Sequence, residues 1–394
     1  MQGAAALHSP MVNSGIVLRP LPIEALAARP PAPGPLVRHA YSLAPLRVNL
    51  AKLATGAAFF ERWPVREFPE HGGWRWPAYQ SFAPPLFVLN DATVHSSAGI
   101  IAAGHIAIAE TLVATQSQTH HYTRLAKDIV IAPREITRVE GTHISLLTGG
   151  AGNYAGAILE GLARIIAVTD PFMVEATSIL IPKNLSVPRD IWRLLDLAPS
   201  MSLQWLGDDE TLQVENLILP LSVCGDHLPH PCVMEFFRRI SSNVAPHPGK
   251  FGRRIFLTRG IKAKRPLLTE NELMVALTPL GFQSVNPEVL SMEDQVRLFR
   301  GAEASVAPHG AALANLGFAR PGALIVEVMM DAYVNWGFRH LAALAELEYD
   351  CVLGRARTPW PEIGESIDRL PWQVSVQHVR AAVEQHFGER LRAA

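Results

Sequence analysis

The segment Ser305–Met329, SVAPHGAALANLGFARPGALIVEVM, constrains the fold of this chain more than any other stretch. Proline and glycine divide it into units of alternating character. In order, they predict an apolar strand at 304–307, a tight Pro-His-Gly turn at 308–310, a helix of small residues at 311–318 and a second apolar strand at 323–329. Strand, glycine turn, helix and strand in succession are typical of a parallel βαβ unit.

The turn between that first strand and its helix is a candidate phosphate site. The first turn of a helix presents backbone N–H groups without intrahelical partners, together with a partial positive charge. Gly310 has no Cβ, so an anion could approach the backbone closely, with His309 beside it. The alternative is that Gly310 only closes a sharp corner and His309 is a capped surface residue. Geometry alone leaves both interpretations open.

Several motifs in a fixed order resemble glycosyltransferase family 61, which includes bacterial capsular-polysaccharide-type enzymes and is related to eukaryotic O-glycan and xylan transferases. The run PHGAALANLGFARPGALIVEVM at 308–329 looks like the C-terminal motif of that family. The segments that resemble it upstream are RRIFLTRG at 253–260, LLTENELMVALTPLGFQSV at 267–285 and LSMEDQVRLFRGAEASVAPHG at 290–310. The likeness is continuous from about Arg253 to Met329 and patchier from about Val94 to Arg239.

The resemblance implies an α/β chain with a GT-B-like architecture, in which two Rossmann-like domains face a central cleft. The sequence then divides into four parts. These are a Pro/Ala-rich lead-in at 1–40, an N-terminal acceptor-side α/β domain at 41–240, a C-terminal sugar-nucleotide-binding domain at 250–374 and a C-terminal helix at 375–394 that packs back on the body. In architectures of this kind the last helix often returns to the first domain.

The expected donor site lies in the C-terminal domain. Residues 253–265 hold six basic side chains and no acidic one, and Arg259 is the first candidate because a guanidinium binds phosphate in bidentate geometry. The resemblance matches Thr258-Arg259 to a Ser-Arg pair of the family. The expected diphosphate ligands are Thr258, Arg259, Arg265, His309, Gly310 and Ala311. Asn315 either orients the donor or packs within its helix, and Glu327 either caps a helix or, as the resemblance favours, binds ribose.

The acceptor side is expected around a second glycine turn. Asn153, Tyr154 and Arg164 match an acceptor-side motif of the family, and Glu160 is the candidate catalytic base. Gly156 and Ala157 stand where the family carries a His-Trp pair. That departure keeps open a catalytically silent relative that only binds sugar nucleotide or glycan. A helix-surface carboxylate is the simpler alternative for Glu160.

The same turn offers a third class of function. Gly150, Gly152 and Gly156 follow a strand and precede a predicted helix at 157–166, and Asp170 follows at a plausible distance. This loose fingerprint is typical of dinucleotide-binding folds, so an NAD(P)-dependent oxidoreductase is the alternative. Further along, Thr269 with Glu272 and Ser291 with Asp294 predict helix caps rather than catalytic groups.

Composition limits the partners. With 35 basic and 36 acidic residues the chain is not expected to bind nucleic acid, and at most peripheral membrane contact is expected. Three cysteines and no evident signal or membrane-spanning segment favour the cytoplasm. The sequence shows no Asp-x-Asp cluster at a strand end. The resemblance implies an inverting hexosyl- or pentosyltransferase, with a nucleotide-sugar, a UDP-sugar above all, as co-substrate and a saccharide or lipid-linked glycan as acceptor. Because the Asp-x-Asp cluster is missing, we expect the site to be metal-independent and to need no cofactor.

Overall fold

The computed structural model describes residues 15–28, 37–42, 65–66, 85–112, 122–168, 176–225, 228–247, 249–259, 264–357 and 370–387. The strands in these ranges are β1 Ile16–Leu21, β2 Val37–Ser42, β3 Val65–Arg66, β4 Pro85–His95, β5 Ile100–Ala103, β6 Ile106–Ile108, β7 Thr123–Leu125, β8 Asp128–Ile131, β9 Ile136–Ser145, β10 Ser178–Pro182, β11 Ser202–Leu206, β12 Thr211–Pro220, β13 Cys224–Gly225, β14 Leu228–Pro229, β15 Arg254–Leu257, β16 Phe282–Val285, β17 Ala304–Pro308, β18 Leu324–Met330, β19 Glu348–Ala356 and β20 Trp372–Gln373. Asp170 lies outside the described residues.

The helices complete the element order. The α-helices are α1 Ile23–Ala27, α2 Ile191–Leu194, α3 Val233–Ser242, α4 Glu270–Leu277, α5 Met292–Gly301, α6 Gly337–Leu344 and α7 Val376–Phe387. Tighter 3-10 helices are Ala109–Thr111, Leu162–Ala167, Thr278–Leu280, Pro287–Val289 and Ala311–Phe318, and Gly156–Gly161 is π-helical. None of the helices in the described part of the chain is long and apolar enough to cross a membrane.

The N-terminal sheet is mixed rather than the parallel sheet of a Rossmann-like domain. Its order is β11-β10-β9-β12-β4-β5-β6-β1-β8-β7, with β2 also paired to β4. The pairs β9–β10, β10–β11 and β9–β12 are parallel, whereas β4 is antiparallel to both β12 and β5. The α/β class is therefore confirmed, but the expected internal symmetry of two similar domains is not seen in the sheets.

Part of the predicted lead-in belongs to this sheet. Strand β1 is parallel to β6 and antiparallel to β8, so it is paired on both sides. Leu18 is 1% exposed and Ile23 is fully buried. Leu18 is the one residue of this strand that is buried, and the Ala and Pro content of the surrounding sequence concealed the strand.

The C-terminal sheet has the order β16-β15-β17-β18-β19, all parallel, with β20 antiparallel at one edge. Counted along the chain from β15, this order is 2-1-3-4-5. The order reverses between β15 and β17, and ligands of open α/β sheets bind at such a switch point, outside the carboxyl ends of the strands. The predicted βαβ unit is confirmed as β17, the helix Ala311–Phe318 and β18.

The C-terminal helix stays with this sheet. Val379, Ala382 and Val383 of α7 are buried in the same core cluster as Phe256 of β15 and Leu273 of α4. The helix therefore packs on its own domain, and the expectation that it returns to the N-terminal half is wrong for the residues described. Its buried side chains share one apolar face, and the face of the C-terminal sheet that bears Phe256 covers it.

The two sheets share one hydrophobic core. Phe237 of α3 packs edge-on against Phe318 at 4.8 Å between ring centroids, and a Cβ on Gly317 would lie 2.2 Å from the Phe237 ring. Asp190, next to α2, accepts hydrogen bonds from the backbone N–H groups of Met292 and Glu293 at 3.0 and 3.1 Å. An N-terminal side chain thus caps a C-terminal helix, so the halves are held together by packing and by polar contacts.

One of the two predicted helix caps is confirmed. Ser291 Oγ accepts a hydrogen bond from Asp294 N at 3.2 Å and caps α5. The cap predicted at Thr269 is wrong, because the hydroxyl of Thr269 instead accepts from Val374 N at 3.2 Å. Val374 directly follows β20, which is distant from α4 in the sequence. Its N–H takes the Thr269 oxygen that would otherwise accept from the first turn of α4.

Candidate functional site

The switch point brings two predicted segments to one edge of the C-terminal sheet. Strand β15 ends at Leu257 and is followed by Thr258 and Arg259, and the neighbouring strand β17 is followed by His309 and Gly310. A Cβ placed on Gly310 would lie 3.5 Å from Arg259 Nε and 3.7 Å from its Cζ. The guanidinium of Arg259 therefore lies against the backbone at the start of the helix Ala311–Phe318. Cationic and N–H groups converge here.

The backbone of Gly310 explains why its missing side chain matters. Its φ of −178° and ψ of 167° are extended, a conformation that any residue can adopt. Conformational freedom is thus not what requires glycine at this corner. What glycine supplies is open space beside Arg259, which a side chain would partly fill.

His309 is held from behind by two buried residues. Its Nδ1 lies 2.5 Å from Glu327 Oε1, and the hydroxyl of Tyr349 donates to Glu327 Oε2 at 2.6 Å. Glu327 is fully buried and His309 is 7% exposed. Burial, with the charge of Glu327, raises the pKa of Tyr349, so the phenol keeps the proton it donates. Ribose hydroxyls could reach Glu327 only if the core opened, so the geometry favours an orienting role over the expected ribose contact.

Aromatic side chains that the sequence analysis missed surround the His309 ring. The Tyr333 ring lies 5.5 Å from it and the Phe338 ring 5.2 Å, between centroids. The guanidinium carbon of Arg265 lies 4.3 Å from the centroid of the Tyr333 ring. Arg265 therefore belongs to the same edge of the sheet, as expected, but it is placed by cation–π stacking. Tyr333 follows the end of β18, so the rule that pointed to Thr258 and Arg259 would also have pointed to it.

A buried arginine lies beside this group. Arg339 of α6 is fully buried, and its guanidinium carbon lies 5.2 Å from the Trp336 ring centroid and 5.7 Å from that of Tyr349. Burial lowers the pKa of Arg339 to about 10, although the charge of Glu327 opposes that shift. Arg339 remains protonated at neutral pH and supplies a countercharge for Glu327. The local sequence of α6, GFRHLAAL, did not indicate that Arg339 would lie beside Glu327.

Thr258 is tied to the neighbouring helix. Its hydroxyl donates to Glu270, the first residue of α4, and its N–H donates to Val285 O at 3.0 Å. These bonds fix the loop that carries Arg259. The expected contact from Thr258 to a diphosphate therefore competes with the carboxylate of Glu270 for the same hydroxyl.

Asn315 and Tyr154 meet across the two halves. Asn315 is 1% exposed, its Oδ1 accepts from the Tyr154 hydroxyl at 2.6 Å and its Nδ2 donates to Gln295 Oε1 at 2.7 Å. Burial raises the pKa of Tyr154 and keeps the phenol protonated. From the sequence, Asn315 was assigned to the donor and Tyr154 to the acceptor. In the structure the two side chains are hydrogen-bonded to each other behind the helix Ala311–Phe318.

Two acceptor-side candidates support the backbone. Asn153 Oδ1 accepts from Ala155 N at 3.0 Å and from Gly156 N at 3.2 Å, as a helix cap does. Arg164 is 6% exposed and donates to three carbonyls, those of Leu147 at 2.7 Å, Pro220 at 3.2 Å and Gly161 at 3.2 Å. Burial lowers the pKa of Arg164 to about 10. Both side chains therefore make their hydrogen bonds to backbone groups of the N-terminal half.

Glu160 lies over the glycine turn. A Cβ on Gly150 would lie 2.7 Å from Glu160 Oε2, and one on Gly156 would lie 2.6 Å from Gly150 O. The turn is therefore filled by its own chain and by Glu160, and the residues after it are π-helical rather than the predicted α-helix. This packing does not support a pyrophosphate cradle at Gly150, Gly152 and Gly156. The segment that carries Glu160 does contact the helix Ala311–Phe318.

Among the residues that the structure describes, no three or more His, Cys, Asp or Glu side chains form a group that could hold a metal ion. The three cysteines Cys224, Cys232 and Cys351 are free thiols, and burial raises the pKa of each. None of them is a ready nucleophile at neutral pH.

A comparison with known protein families shows which family part of the chain resembles. Residues 154–326 match the family model described as glycosyltransferase 61, from Tyr154 through the switch point to β18. Over this segment the chain is similar to glycosyltransferase family 61. The resemblance predicted from the sequence is confirmed over these residues, and it supports a glycosyltransferase. A comparison with curated proteins finds no significant match.

Proposed function

We propose that this chain is an inverting, metal-independent transferase that moves a sugar from a nucleotide-sugar to a saccharide hydroxyl. A UDP-sugar is the proposed donor, and a surface polysaccharide or its lipid-linked precursor, met in the cytoplasm, is the proposed product. The C-terminal half would bind the donor and the N-terminal half the acceptor, as in a GT-B arrangement. The family match supports the transferase class, and the finer assignments rest on the site.

The observation that carries this proposal is the position of Arg259 against Gly310 at the switch point, with His309 in the same turn. Negative charge develops on the leaving diphosphate as the bond to the sugar breaks. Arg259 can bind two phosphate oxygens, and the N–H groups at the start of the helix Ala311–Phe318 can bind others. Arg265 adds positive charge at the same edge.

The proposed reaction is a single in-line displacement. An acceptor hydroxyl oxygen forms a bond to the anomeric carbon while the bond from that carbon to the diphosphate oxygen breaks. The electron pair of the broken bond leaves with the nucleoside diphosphate, and the hydroxyl proton passes to a base. The base we propose is Glu160, because its segment contacts the helix that follows the phosphate turn.

A second candidate function is favoured by one departure from the family pattern. Gly156 and Ala157 occupy the positions of the family's His-Trp pair, and a Cβ on Gly156 would clash with Gly150 O. A silent relative would keep the donor site and lack turnover. The oxidoreductase alternative receives no support from the filled glycine turn.

The test is a thermal-shift series on the full chain with UDP, GDP, CMP, UDP-sugars, NAD and NADP, each measured with and without EDTA. A ligand that binds the native state raises the unfolding midpoint by mass action. We expect a shift with one nucleoside diphosphate that survives EDTA and disappears in Arg259→Ala. The matched control is Arg238→Ala, which removes a mostly exposed arginine of α3 and should leave the shift intact.

The outcomes separate the candidates. A shift only with NAD or NADP would contradict the transferase proposal, and loss of the shift with EDTA would contradict metal independence. Turnover is then measured as UDP released from a UDP-sugar in the presence of a saccharide acceptor. Donor binding that depends on Arg259, without release of UDP for any acceptor offered, would favour the silent relative.

A further inference from the structure

Behind the phosphate turn, a chain of hydrogen bonds leads from β19 to His309. Tyr349 donates to Glu327 Oε2 at 2.6 Å, and Glu327 Oε1 lies 2.5 Å from His309 Nδ1. The strand register explains how they meet. Glu327 pairs with Cys351 across β18 and β19, and Tyr349 is two residues before Cys351, so it emerges on the same face. The displacement described above assigns no role to either Glu327 or Tyr349.

The chemistry of these partners fixes which nitrogen faces the ligand. A carboxylate only accepts hydrogen bonds, so a carboxylate Glu327 requires the proton on Nδ1 of His309. With Nδ1 turned inward, Nε2 is the remaining nitrogen. No hydrogen bond joins it to any residue that the structure describes, and His309 keeps a small exposed fraction, 7%, at the edge beside Gly310.

The geometry also determines which charge state of His309 could donate a hydrogen bond to an anion. If only Nδ1 carries a proton, Nε2 presents a lone pair, which repels a phosphate oxygen. His309 can therefore donate to an anion through Nε2 only as the doubly protonated cation. The same arrangement of carboxylate, inward N–H and outward nitrogen orients histidine ligands of metals and catalytic histidines.

We propose that Glu327 and Tyr349 are positioning residues that act through His309. They hold Nδ1–H inward and direct the protonated Nε2 toward the leaving diphosphate, so that His309 donates to it beside Arg259. This inference rests on the proposed function and deepens it, because it assigns the buried carboxylate to the donor diphosphate rather than to ribose.

Other charged and titratable groups lie around His309 and Glu327, on the elements that pack against them. They are Arg259 after β15, Arg265 before α4, Tyr333 after β18, Arg339 in α6, and Tyr349, Asp350 and Cys351 in β19. Burial keeps the phenol of Tyr349 and the thiol of Cys351 neutral through pH 9, and the arginines stay charged.

The test follows His309 directly in the full chain. Nitrogen-15 histidine spectra report which ring nitrogen carries the proton, and they are recorded from pH 5 to 9 for the wild type, Glu327→Gln, Tyr349→Phe and the control Tyr122→Phe. Tyr122 is also buried, but it lies in the N-terminal half. UDP affinity is measured on the same samples. Tyr349→Phe removes only a hydroxyl, so it keeps the test usable if Glu327→Gln does not fold.

We expect a proton on Nδ1 of His309 in the wild type throughout. In Glu327→Gln the neutral amide can either donate or accept, so the proton on Nδ1 of His309 should no longer be fixed, and UDP affinity at pH 7 should fall about 10-fold. In Tyr349→Phe the carboxylate loses one of its two fixed partners, and affinity should fall about 3- to 5-fold. Tyr122→Phe should match the wild type in both measurements.

Three results would overturn the inference. They are a neutral His309 protonated on Nε2 in the wild type, the same protonated ring nitrogen held equally in the wild type and Glu327→Gln, and unchanged UDP affinity in both site variants. Failure of the proposed function looks different. In that case His309 responds to Glu327→Gln as expected, and no nucleoside diphosphate binds any of the proteins, including the wild type.

Discussion

Two glycine turns follow strands in this chain, and they use their polar residues in opposite ways. At the first, Asn153 and Arg164 bind backbone groups, and Gly150 and Gly156 pack against each other. At the second, the space beside Gly310 is left open, and the guanidinium of Arg259 lies along it.

The sheets account for the difference between the turns. The second turn lies at the switch point of a parallel sheet, where the neighbouring connections diverge and leave a crevice. The first follows β9 in a mixed sheet and is closed by its own helical segment. A glycine turn therefore becomes a candidate ligand site through its place in the sheet rather than through its glycines.

The largest expected effect concerns the closed turn. Arg164→Met should lower the free energy of unfolding by about 4 kcal/mol, since it leaves three buried carbonyls without their donor. Denaturant unfolding measures this loss. Arg138→Met is the control, because Arg138 is exposed and its ion pair with Asp91 should contribute less than about 1 kcal/mol.

The comparison requires that nucleotide binding survive this change. The folded fraction of Arg164→Met should show the same UDP shift as the wild type, because Arg164 faces the interior. If Arg164→Met were as stable as the wild type but did not bind UDP, Arg164 would belong to the ligand site and the contrast between the two turns would fail.

The second prediction uses pH to test the junction between the halves. His340 of α6 is fully buried, and its Nε2 pairs with Pro229 O of β14 at 2.9 Å. Burial, opposed by the hydrogen bond to Pro229 and aided by the nearby His230, lowers the pKa of His340 to about 4. The unfolded chain has the ordinary value of about 6.5. Between these two pH values the unfolded state binds the additional proton.

Stability should therefore fall as the pH falls from about 6.5 to about 4, and the loss from His340 should approach about 3 kcal/mol. His95, also buried, has its pKa lowered to about 4 and should add a loss of the same sign. Urea midpoints at several pH values measure the slope. His340→Gln should remove about 1.4 kcal/mol per pH unit from that slope within the window. An unchanged slope would show that His340 is protonated in the folded protein.

Much of the site could be anticipated from local sequence. Apolar runs bounded by Pro308 and by Pro321-Gly322 predicted β17 and β18 closely, because a buried parallel strand is a short apolar run. Arg259 and His309 were found because each follows such a run. The rule needs no knowledge of the partner strand, and so it works from sequence alone.

The residues behind the site could not be found this way. Glu327 meets Tyr349 only through the register of β18 with β19, and the mixed sequence of β19, EYDCVLGRA, did not predict a strand. Thr269 illustrates the same limit, since its hydroxyl pairs with Val374 rather than capping its own helix. Contacts made between elements distant in sequence decide both cases.

The third prediction sets the two glycines against each other. Gly156→Ala should cost about 2 kcal/mol of stability, because the new Cβ would lie 2.6 Å from the carbonyl oxygen of Gly150. Gly310→Ala should change stability by less than about 0.5 kcal/mol, since its backbone is extended and the new Cβ makes ordinary contacts. It should instead weaken UDP binding about 10-fold, or about 1.4 kcal/mol, by filling the space beside Arg259.

Thermal unfolding and UDP titration of both variants check this pair. The reverse pattern, with Gly310→Ala unstable and Gly156→Ala impaired only in binding, would move the phosphate site to the first turn.

The smallest effect tests the contact that joins the two regions. Tyr154→Phe removes the donor to Asn315 Oδ1, which is buried, so it should cost about 1 kcal/mol, seen as a lower urea midpoint. Tyr122→Phe is the control, because among the described residues the Tyr122 hydroxyl has a single hydrogen-bond partner, Arg124 Nη2, at a long 3.5 Å. Since residues of both sheets share one core, the transition of Tyr154→Phe should remain single. Two separate transitions would show that the turns lie in independently folding units, and their contrast would then reflect two domains rather than two positions in one cooperative structure.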